Sequence, residues 1–263
     1  MKQIVLGKGF LGQTFESYGY NVFDKNQFNF TGNIKEFDKL NDYDVIINCI
    51  GKSNTRWCEL PENREEVLLS NFILPKELSN YCNKNNKKFV HMSTGCLYDN
   101  TETENKETDF IAAHCFYTLS KWLGESACNK NTDLILRARL YFGSKINKNN
   151  LLCKIKNFKT FTYDKYDSFT SVELIVDATK ILLDNNQTGI FNIAHEGCLT
   201  MKELATILHI SGNEISADAL RKREKIYLVN NIMSIHKLKQ FYQPSHIISA
   251  VKEYNKLLFD NLL

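Results

Sequence analysis

Short apolar runs alternate with amphipathic stretches over the first half of the chain. Such runs, bounded by polar residues and glycines, are typical of strands buried in a sheet. Strands are predicted at 3–6, 20–24, 45–50, 89–92 and 134–136. Helices are predicted at 63–85, where Pro75 leaves continuity open, and at 115–130. Strands that alternate with helices in this way predict an α/β fold, a Rossmann-type doubly wound parallel sheet.

The pattern loosens after about residue 140. Helices are predicted there at 172–183, 201–208 and 247–259, and one further strand at 189–194. We therefore expect a Rossmann domain and a small, mostly helical C-terminal substrate lobe. The Rossmann domain is predicted to span 1–142, with about 167–198 returning to it, and the lobe to span 143–166 and 199–263.

The composition of the 263 residues is that of a soluble globular protein, with 43% hydrophobic and 24% charged residues. A net charge of +3 does not call for nucleic acid or a membrane as partner. The N-terminus lacks the pattern of a signal peptide, and no apolar run has the length of a membrane span. Eight scattered cysteines without a CxxC pair favour reduced thiols, and no metal-ligand spacing occurs. We expect a cytoplasmic protein without a metal.

A glycine-rich turn follows the first predicted strand and opens a helix. Gly7, Gly9 and Gly12 fit the pattern G-x-G-x-x-G. The first glycine permits a tight turn, the second permits close approach of a pyrophosphate, and the third permits close packing of helix and strand. Together with Phe10 and Leu11, these glycines are predicted to bind a dinucleotide at the helix N-terminus.

An acidic residue ends the second predicted strand. Asp24 lies where a carboxylate takes the ribose hydroxyls and repels a 2′-phosphate, which favours NAD(H). Lys25 beside it could attract that phosphate, and Asp24 could instead be a turn-forming residue. The choice between NADP(H) and NAD(H) stays open.

A phenol and an ammonium group lie four residues apart in the second predicted helix. Tyr117 and Lys121 therefore share one face of it. A nearby lysine charge favours the phenolate, so that the tyrosine can exchange a proton with a carbonyl oxygen. Ser93 and Thr94 end a predicted strand, where open α/β sheets place their active sites. The alternative is an ordinary amphipathic helix.

With Asn48–Gly51 and Asn71, these residues make the chain resemble the extended short-chain dehydrogenase/reductase family over roughly 1–210. The resemblance implies that Thr94 binds the substrate oxygen and that Tyr117 is the general acid/base. It also implies that Lys121 binds the nicotinamide ribose and tunes the tyrosine. The cofactor residues that it adds to the glycine turn are Cys49, Gly51, Asn71 and Lys121.

A narrower resemblance is to dTDP-4-dehydrorhamnose reductases and to UDP-4-keto-6-deoxy-glucose 3,5-epimerase/4-reductases. The matching segments are 51–59, 91–99, 117–125, 136–139, 150–154, 167–170 and 189–192. The resemblance implies reduction of a nucleotide-linked 4-keto-6-deoxy sugar at C4, preceded by epimerisation at C3 and C5, in rhamnose-type biosynthesis. Thr94 is followed by Gly95–Cys96 and not by the Asp–Glu pair of 4,6-dehydratases, which argues against a dehydratase.

Epimerisation needs groups that move the protons acidified by the C4 ketone. The resemblance implies that Cys96 is one acid/base and that Lys154 is the candidate for the second. The alternatives are a buried apolar filler for the thiol and a surface lysine. The expected substrate-binding residues are Asn54, Trp57, Cys58, Thr94, Gly95, Cys96, Tyr117, Asn150 and Lys154.

Two other functions stay open at this point. One is a 4-reductase without epimerase activity, and the other is a non-catalytic nucleotide-binding regulatory subunit of the same fold. The partner expected for the enzyme is a UDP- or dTDP-linked sugar, and a homodimer is possible by analogy with the resembling families.

Overall fold

The computed structural model describes residues 1–98, 103–224 and 231–259. Residues 225–230 and 260–263 of the predicted lobe, and Asp99 at the end of the matching segment 91–99, lie outside the described residues. The strands are β1 Gln3–Leu6, β2 Asn21–Phe23, β3 Val45–Asn48, β4 Lys88–Thr94, β5 Leu134–Ala138, β6 Tyr141–Phe142, β7 Thr160–Thr162, β8 Tyr166–Asp167, β9 Thr170–Ser171, β10 Gly189–Ile193, β11 Leu199–Thr200 and β12 Asn213–Ile215.

Helices alternate with the long strands in the first half of the chain and predominate after residue 200. The α-helices are α1 Phe10–Ser17, α2 Thr55–Glu59, α3 Arg64–Leu68, α4 Leu74–Lys84, α5 Phe116–Ser126, α6 Leu151–Lys154, α7 Val172–Asp184, α8 Met201–Ile207, α9 Ala217–Glu224 and α10 Ile247–Phe259. Short 3-10 turns lie at 34–40, 61–63, 95–97, 155–157 and 238–240.

A six-stranded sheet with the order β10-β5-β4-β3-β1-β2 forms the centre of the fold. Strand β1 pairs in parallel with both β2 and β3, and β3 pairs in parallel with β4. Ile4 is therefore in register with Ile46, and Ile46 with Phe89. From β1 the chain first adds β2 on one side of the sheet and then β3, β4 and β5 on the other. Open sheets bind ligands at the carboxyl ends of the strands where the order changes direction in this way. This architecture confirms the predicted Rossmann-type α/β fold.

The apolar strand residues explain why this sheet is central. Ile4, Leu6, Ile46, Phe89 and Ile135 are buried in one cluster with side chains from the covering helices. Each such side chain contributes roughly 1.5–3 kcal/mol by leaving water. The strands are buried on both faces, so their sequences read as continuous apolar runs and not as an alternation.

The predicted helix at 63–85 is helical throughout but not regular. Helix α3 passes into a π turn at Leu69–Ile73 before α4 begins. Pro75 occupies the first turn of α4, where a missing N–H costs little. The second predicted helix, 115–130, is shorter than expected and ends at Ser126. Just beyond it, the Asp133 carboxylate accepts the Asn129 N–H at 2.9 Å.

The described residues form two compact units. The first comprises Met1–Leu97, Ala112–Arg137 and Thr179–Phe191, and the second comprises Tyr98–Ile111, Ala138–Ala178 and Asn192–Leu263. In the second, Phe142, Leu152 and Phe161 share a core with apolar residues of α8 and α10. The division predicted from sequence differs in detail from these units and stays a prediction.

A search of the described helices for a membrane span gives a negative result, since none combines sufficient length with sufficient hydropathy.

Candidate active site

The glycine turn leaves no room for side chains on two of its three glycines. Gly7 has φ +100°, and a Cβ there would lie 2.9 Å from Ile50 Cγ1. A Cβ on Gly12 would lie 2.0 Å from the Gly7 carbonyl oxygen, so the start of α1 packs directly on the turn. Gly9, the N-cap of α1, faces open space. The turn thus presents a helix N-terminus and a free approach to it.

Phe10 and Leu11 point away from this approach. Both side chains are buried in the core of the first unit. The groups that these residues can offer a ligand are backbone N–H groups of the first helical turn, which have no intrahelical acceptor. The sequence pattern correctly located the turn, and the side chains of these two residues serve packing.

Asp24 follows β2 directly, as predicted. Its Oδ1 accepts the N–H groups of Asn26 at 2.8 Å and Gln27 at 3.1 Å, and its own N–H donates to Gln27 Oε1. The carboxylate is thus a turn-former, which is the alternative that the sequence left open. A contact with ribose hydroxyls would fall to Oδ2. Lys25 next to it is exposed.

Gly51, Asn71 and Lys121 converge in the first unit. A Cβ on Gly51 would lie 3.1 Å from Asn71 Oδ1 and 3.8 Å from Lys121 Nζ. The backbone thus comes close to a buried ammonium group at a place that glycine keeps open. Three residues that were expected to bind the cofactor are therefore neighbours, as a nicotinamide ribose site would require.

Asn71 lies in the π turn and joins two segments. Its side chain accepts the Lys52 N–H at 2.8 Å and donates to the Lys52 carbonyl at 3.0 Å. It also donates to Ser120 Oγ at 2.9 Å, and Ser120 in turn donates to the Tyr117 carbonyl at 2.8 Å. The π turn, a feature frequent at functional sites, thus ties the loop after β3 to helix α5.

Lys121 is buried in α5, with 6% of its surface exposed. Its Nζ donates a hydrogen bond of 2.6 Å to the Met92 carbonyl on β4. Burial lowers the pKa of Lys121 to about 8, against the opposing effect of the Glu125 carboxylate. The same burial raises the pKa of the nearby Cys49 thiol, so that this cysteine stays protonated. Lys121 is thus a cation at neutral pH whose charge is costly to hold.

Tyr117 lies in a small cluster with Cys58 and Val67, and the half-buried Trp57 and Cys96 pack against it. Four residues predicted for the substrate site are therefore brought together: Trp57, Cys58, Cys96 and Tyr117. Cys58 itself is fully buried, and burial raises the pKa of the Cys58 thiol to about 11. Cys58 thus belongs to the buried part of the cluster, and its predicted part in substrate binding stays a prediction.

Thr94 ends β4, and its hydroxyl oxygen accepts the Cys96 N–H at 3.2 Å. Because the oxygen serves as acceptor in this turn, its proton is oriented elsewhere and can be donated. The turn also fixes Gly95 and presents the half-buried Cys96 directly after the strand. Strand β4 thereby delivers a hydroxyl and a thiol at its carboxyl end.

The loop after β3 folds into the short helix α2. Asn54 caps it by accepting the Trp57 N–H at 3.1 Å. Lys52 Nζ lies 5.1 Å from the centre of the Trp57 ring and pairs with Glu66. At its far end, Glu59 accepts hydrogen bonds from the first N–H groups of α5.

The remaining two predicted residues lie in the second unit. Asn150 is buried and caps α6, and its amide donates to the carbonyls of Gly143 and Lys145, each at 2.8 Å. This amide is thus engaged within its own loop. Lys154 ends α6 and is exposed.

Sequence reasoning missed several residues that hold the site. Glu59 and Ser120 lie within noted segments, 51–59 and 117–125, but were given no role. Glu125 accepts from Ser93 and from Arg137, and both sides of that ion pair are 1% exposed. The one available signal was the spacing of Lys121 and Glu125, which places an acid one turn further along the same helix face.

Within the described residues, no group of three or more acidic, histidine or cysteine side chains could hold a metal ion. The first unit instead offers a hydroxyl at the end of β4, a phenol and an ammonium group on α5, and the open N-terminus of α1. Such groups suit proton transfer to a carbonyl oxygen next to a bound dinucleotide.

Three solved structures illustrate what the chain is similar to. A dTDP-4-dehydrorhamnose reductase from Clostridium acetobutylicum has a TM-score of 0.84 at 19% identity, covering 98% of this chain and 99% of that chain. The L780 UDP-rhamnose synthase from Acanthamoeba polyphaga mimivirus has a TM-score of 0.82 at 17% identity, covering 97% and 99%. A dTDP-4-dehydrorhamnose reductase from Bacillus anthracis in complex with NADP has a TM-score of 0.81 at 17% identity, covering 97% and 98%.

Identities this low establish a common fold. No curated protein matches the chain significantly in sequence. The model of the RmlD substrate binding domain family, however, matches residues 7–223, which is most of the chain. The chain therefore belongs to the RmlD substrate binding domain family.

Proposed function

We propose that this protein is an oxidoreductase that reduces a nucleotide-linked 4-keto-6-deoxy sugar at C4, in the synthesis of a rhamnose-type sugar. The observation that carries the proposal is the cluster in which Tyr117 packs with Trp57 and Cys96, directly after the strand that ends at Thr94. Family membership and the named activities of the similar structures support it.

The proton for the C4 oxygen comes from Tyr117. The Thr94 hydroxyl, whose oxygen already accepts from Cys96, donates its own proton to the same substrate oxygen. Lys121, held by the Met92 carbonyl, stabilises the phenolate that is left when Tyr117 has given up its proton. The chemistry supplied by a bound nicotinamide cofactor is hydride donation to C4.

The residues that would hold this cofactor fit it. Gly7, Gly9 and Gly12 leave the helix N-terminus open to a pyrophosphate, and Gly51 leaves room beside Lys121. Either NADP(H) or NAD(H) is compatible with this set. One carboxylate oxygen of Asp24 accepts hydrogen bonds within its own turn. Asp24 therefore favours NAD(H) less strongly than the sequence alone suggested.

Epimerisation at C3 and C5 before reduction is the finer part of the proposal. Cys96 is half-buried beside Tyr117, and its thiolate would remove a proton next to the C4 ketone. Lys154 of the second unit, by resemblance alone, is the second acid/base. The C-terminal lobe predicted from sequence would then provide substrate specificity.

Two variants test the assignment of the groups. Tyr117→Phe should lower kcat for C4 reduction by about 100-fold or more, because the general acid is removed. Tyr18→Phe, a change of the same size on a half-exposed residue, is the control. Full C4 reduction by Tyr117→Phe would contradict the mechanism.

The second variant is Cys96→Ala, assayed in D₂O with mass analysis of the product. The wild type should incorporate deuterium at C3 and C5, and Cys96→Ala should lose that incorporation. Cys153→Ala, a half-buried thiol of the second unit, should retain it. Reduction without any deuterium at these carbons in the wild type would leave a simple 4-reductase. Cofactor binding without turnover of any ketosugar would favour the regulatory subunit.

A further inference from the structure

Helix α5, which carries Tyr117, receives its N-terminal cap from a distant segment. The Glu59 carboxylate accepts the Phe116 N–H at 3.1 Å through Oε2 and the Tyr117 N–H at 3.2 Å through Oε1. Both donors belong to the first turn of the helix, whose N–H groups have no partner within the helix. One carboxylate thus serves two of these groups, and one of them is the backbone of Tyr117.

Electrostatics favour a carboxylate at this place. The start of a helix carries a partial positive charge, and hydrogen bonds to an ionised acceptor are stronger than neutral ones. The residue at the N-cap itself, Cys115, has only a thiol, a weak acceptor. Its own N–H donates to Thr118 Oγ1 at 3.1 Å. The strong acceptor at this helix start therefore comes from Glu59.

Glu59 is itself held in place. It is the last residue of α2, which Asn54 caps at the other end. Its neighbour Cys58 is fully buried in the cluster that contains Tyr117. The carboxylate consequently reaches α5 from a short, anchored helix and not from a free loop.

We propose that Glu59 is a positioning residue, which fixes the first turn of α5 and thereby the place of the Tyr117 phenol. This inference rests on the proposed role of Tyr117 as general acid. Helix α2 also carries Trp57, which packs on the same cluster. Glu59 therefore ties α2, whose Trp57 is predicted to bind the substrate, to the helix that carries the proton donor.

Amide hydrogen exchange measured by NMR on the full chain tests the cap without substrate. The Phe116 and Tyr117 amides should exchange at least about tenfold faster in Glu59→Ala than in the wild type, because the charged hydrogen bonds are lost. Glu59→Gln keeps one acceptor oxygen and should be intermediate. Glu65→Ala, which removes an exposed acid from the first turn of α3, is the control and should change neither amide. Equal exchange in the wild type and Glu59→Ala would overturn the proposal.

Kinetics with a 4-keto-6-deoxy sugar nucleotide then separate positioning from mere stabilisation. Glu59→Ala should lower kcat by about tenfold with KM changed by less than about twofold, and Glu59→Gln should recover part of it. Unchanged kcat despite lost amide protection would overturn the positioning role.

Absence of turnover in the wild type would instead refute the proposed function. In that case the ¹³C resonance of the Tyr117 ring, assigned with Tyr117→Phe, tests whether Glu59 positions the phenol. It should shift in Glu59→Ala and stay in place in Glu65→Ala. An unmoved resonance in Glu59→Ala would overturn the proposal.

Discussion

Ser93 and Glu125 are joined by a buried hydrogen bond of 2.7 Å between the serine hydroxyl and the carboxylate. Ser93 precedes Thr94 at the end of β4, and Glu125 lies on α5 together with Tyr117. The bond therefore fixes the strand that supplies the hydroxyl relative to the helix that supplies the phenol. Arg137 on β5 completes the arrangement by donating to the same carboxylate.

Replacing this carboxylate should destabilise the protein strongly. In Glu125→Gln the Arg137 guanidinium loses its counter-charge at a position that is 1% exposed, which typically costs about 3–5 kcal/mol. Urea unfolding gives the free energy of unfolding. Glu16→Gln, which breaks an exposed pair with Lys8, should cost less than about 1 kcal/mol. Similar losses in the two variants would contradict the account.

The buried Lys121 should make stability depend on pH at alkaline values. Burial lowers the pKa of Lys121 from 10.5 to about 8. Between pH 8 and pH 10.5, the lysine is therefore mostly protonated in the unfolded chain and mostly neutral in the folded protein. Its contribution to stability therefore rises with pH across that window, and the cost of the buried charge is largest below it. Lys121→Met should be more stable than the wild type near neutral pH, by roughly 3 kcal/mol at most.

The test is the difference in unfolding free energy between wild type and Lys121→Met, measured from pH 7 to 10.5. The difference should shrink as pH rises. Lys148→Met, on an exposed side chain, provides the matched control and should give a flat difference. A flat difference for Lys121→Met as well would mean that its ammonium is not destabilised by burial.

His195, in the second unit, should make the stability of the protein depend on pH in the acidic range. Its Nε2 lies 2.9 Å from Ser171 Oγ and its Nδ1 3.1 Å from the Ser245 carbonyl. Burial lowers the pKa of His195 from 6.5 to about 4, so the unfolded chain takes up the proton first as pH falls. Stability from this residue is complete above about pH 6.5 and is lost towards pH 4.

The unfolding free energies of wild type, His195→Gln and His236→Gln, compared between pH 7 and pH 4, provide the measurement. The wild type and the exposed control, His236→Gln, should lose stability in parallel. His195→Gln should lose less, by up to roughly 3 kcal/mol. A loss in His195→Gln equal to that of the wild type would refute the role of this histidine.

Two glycine variants should separate folding from cofactor binding. A Cβ on Gly12 would lie 2.0 Å from the Gly7 carbonyl, so Gly12→Ala must displace backbone and should destabilise the first unit. Gly9→Ala meets no protein atom within 4 Å and should fold normally. Its methyl group would nevertheless obstruct a pyrophosphate at the helix start and should weaken NADPH binding by about tenfold or more, as measured by fluorescence titration. Unimpaired binding by Gly9→Ala would argue against this turn as the cofactor site.

Features that depend on neighbouring residues were predictable from sequence. The buried strands stand out because both their faces are apolar, and the glycine turn because its spacing is fixed by backbone geometry. Tyr117 and Lys121 could be paired because helical spacing alone puts them on one face.

Features decided by distant contacts were not predictable. Glu59 caps a helix 57 residues further along the chain, and Glu125 accepts from Ser93 at a separation of 32 residues. The end of α5 at Ser126 likewise is not marked by the helical pattern, which continues to residue 130. Asn150 matched a family segment, yet its amide is engaged in its own loop, which only the hydrogen bonds reveal.

The activity proposed for this chain is reduction of a nucleotide-linked 4-keto-6-deoxy sugar. The most direct test is oxidation of NADPH and of NADH by the purified protein, followed by absorbance, with UDP- and dTDP-4-keto-6-deoxy-glucose as substrates. We expect turnover with at least one cofactor and one substrate, and a product that carries a hydroxyl at C4. Bound cofactor with no oxidation on any of these substrates, nor on their 3,5-epimers, would contradict it.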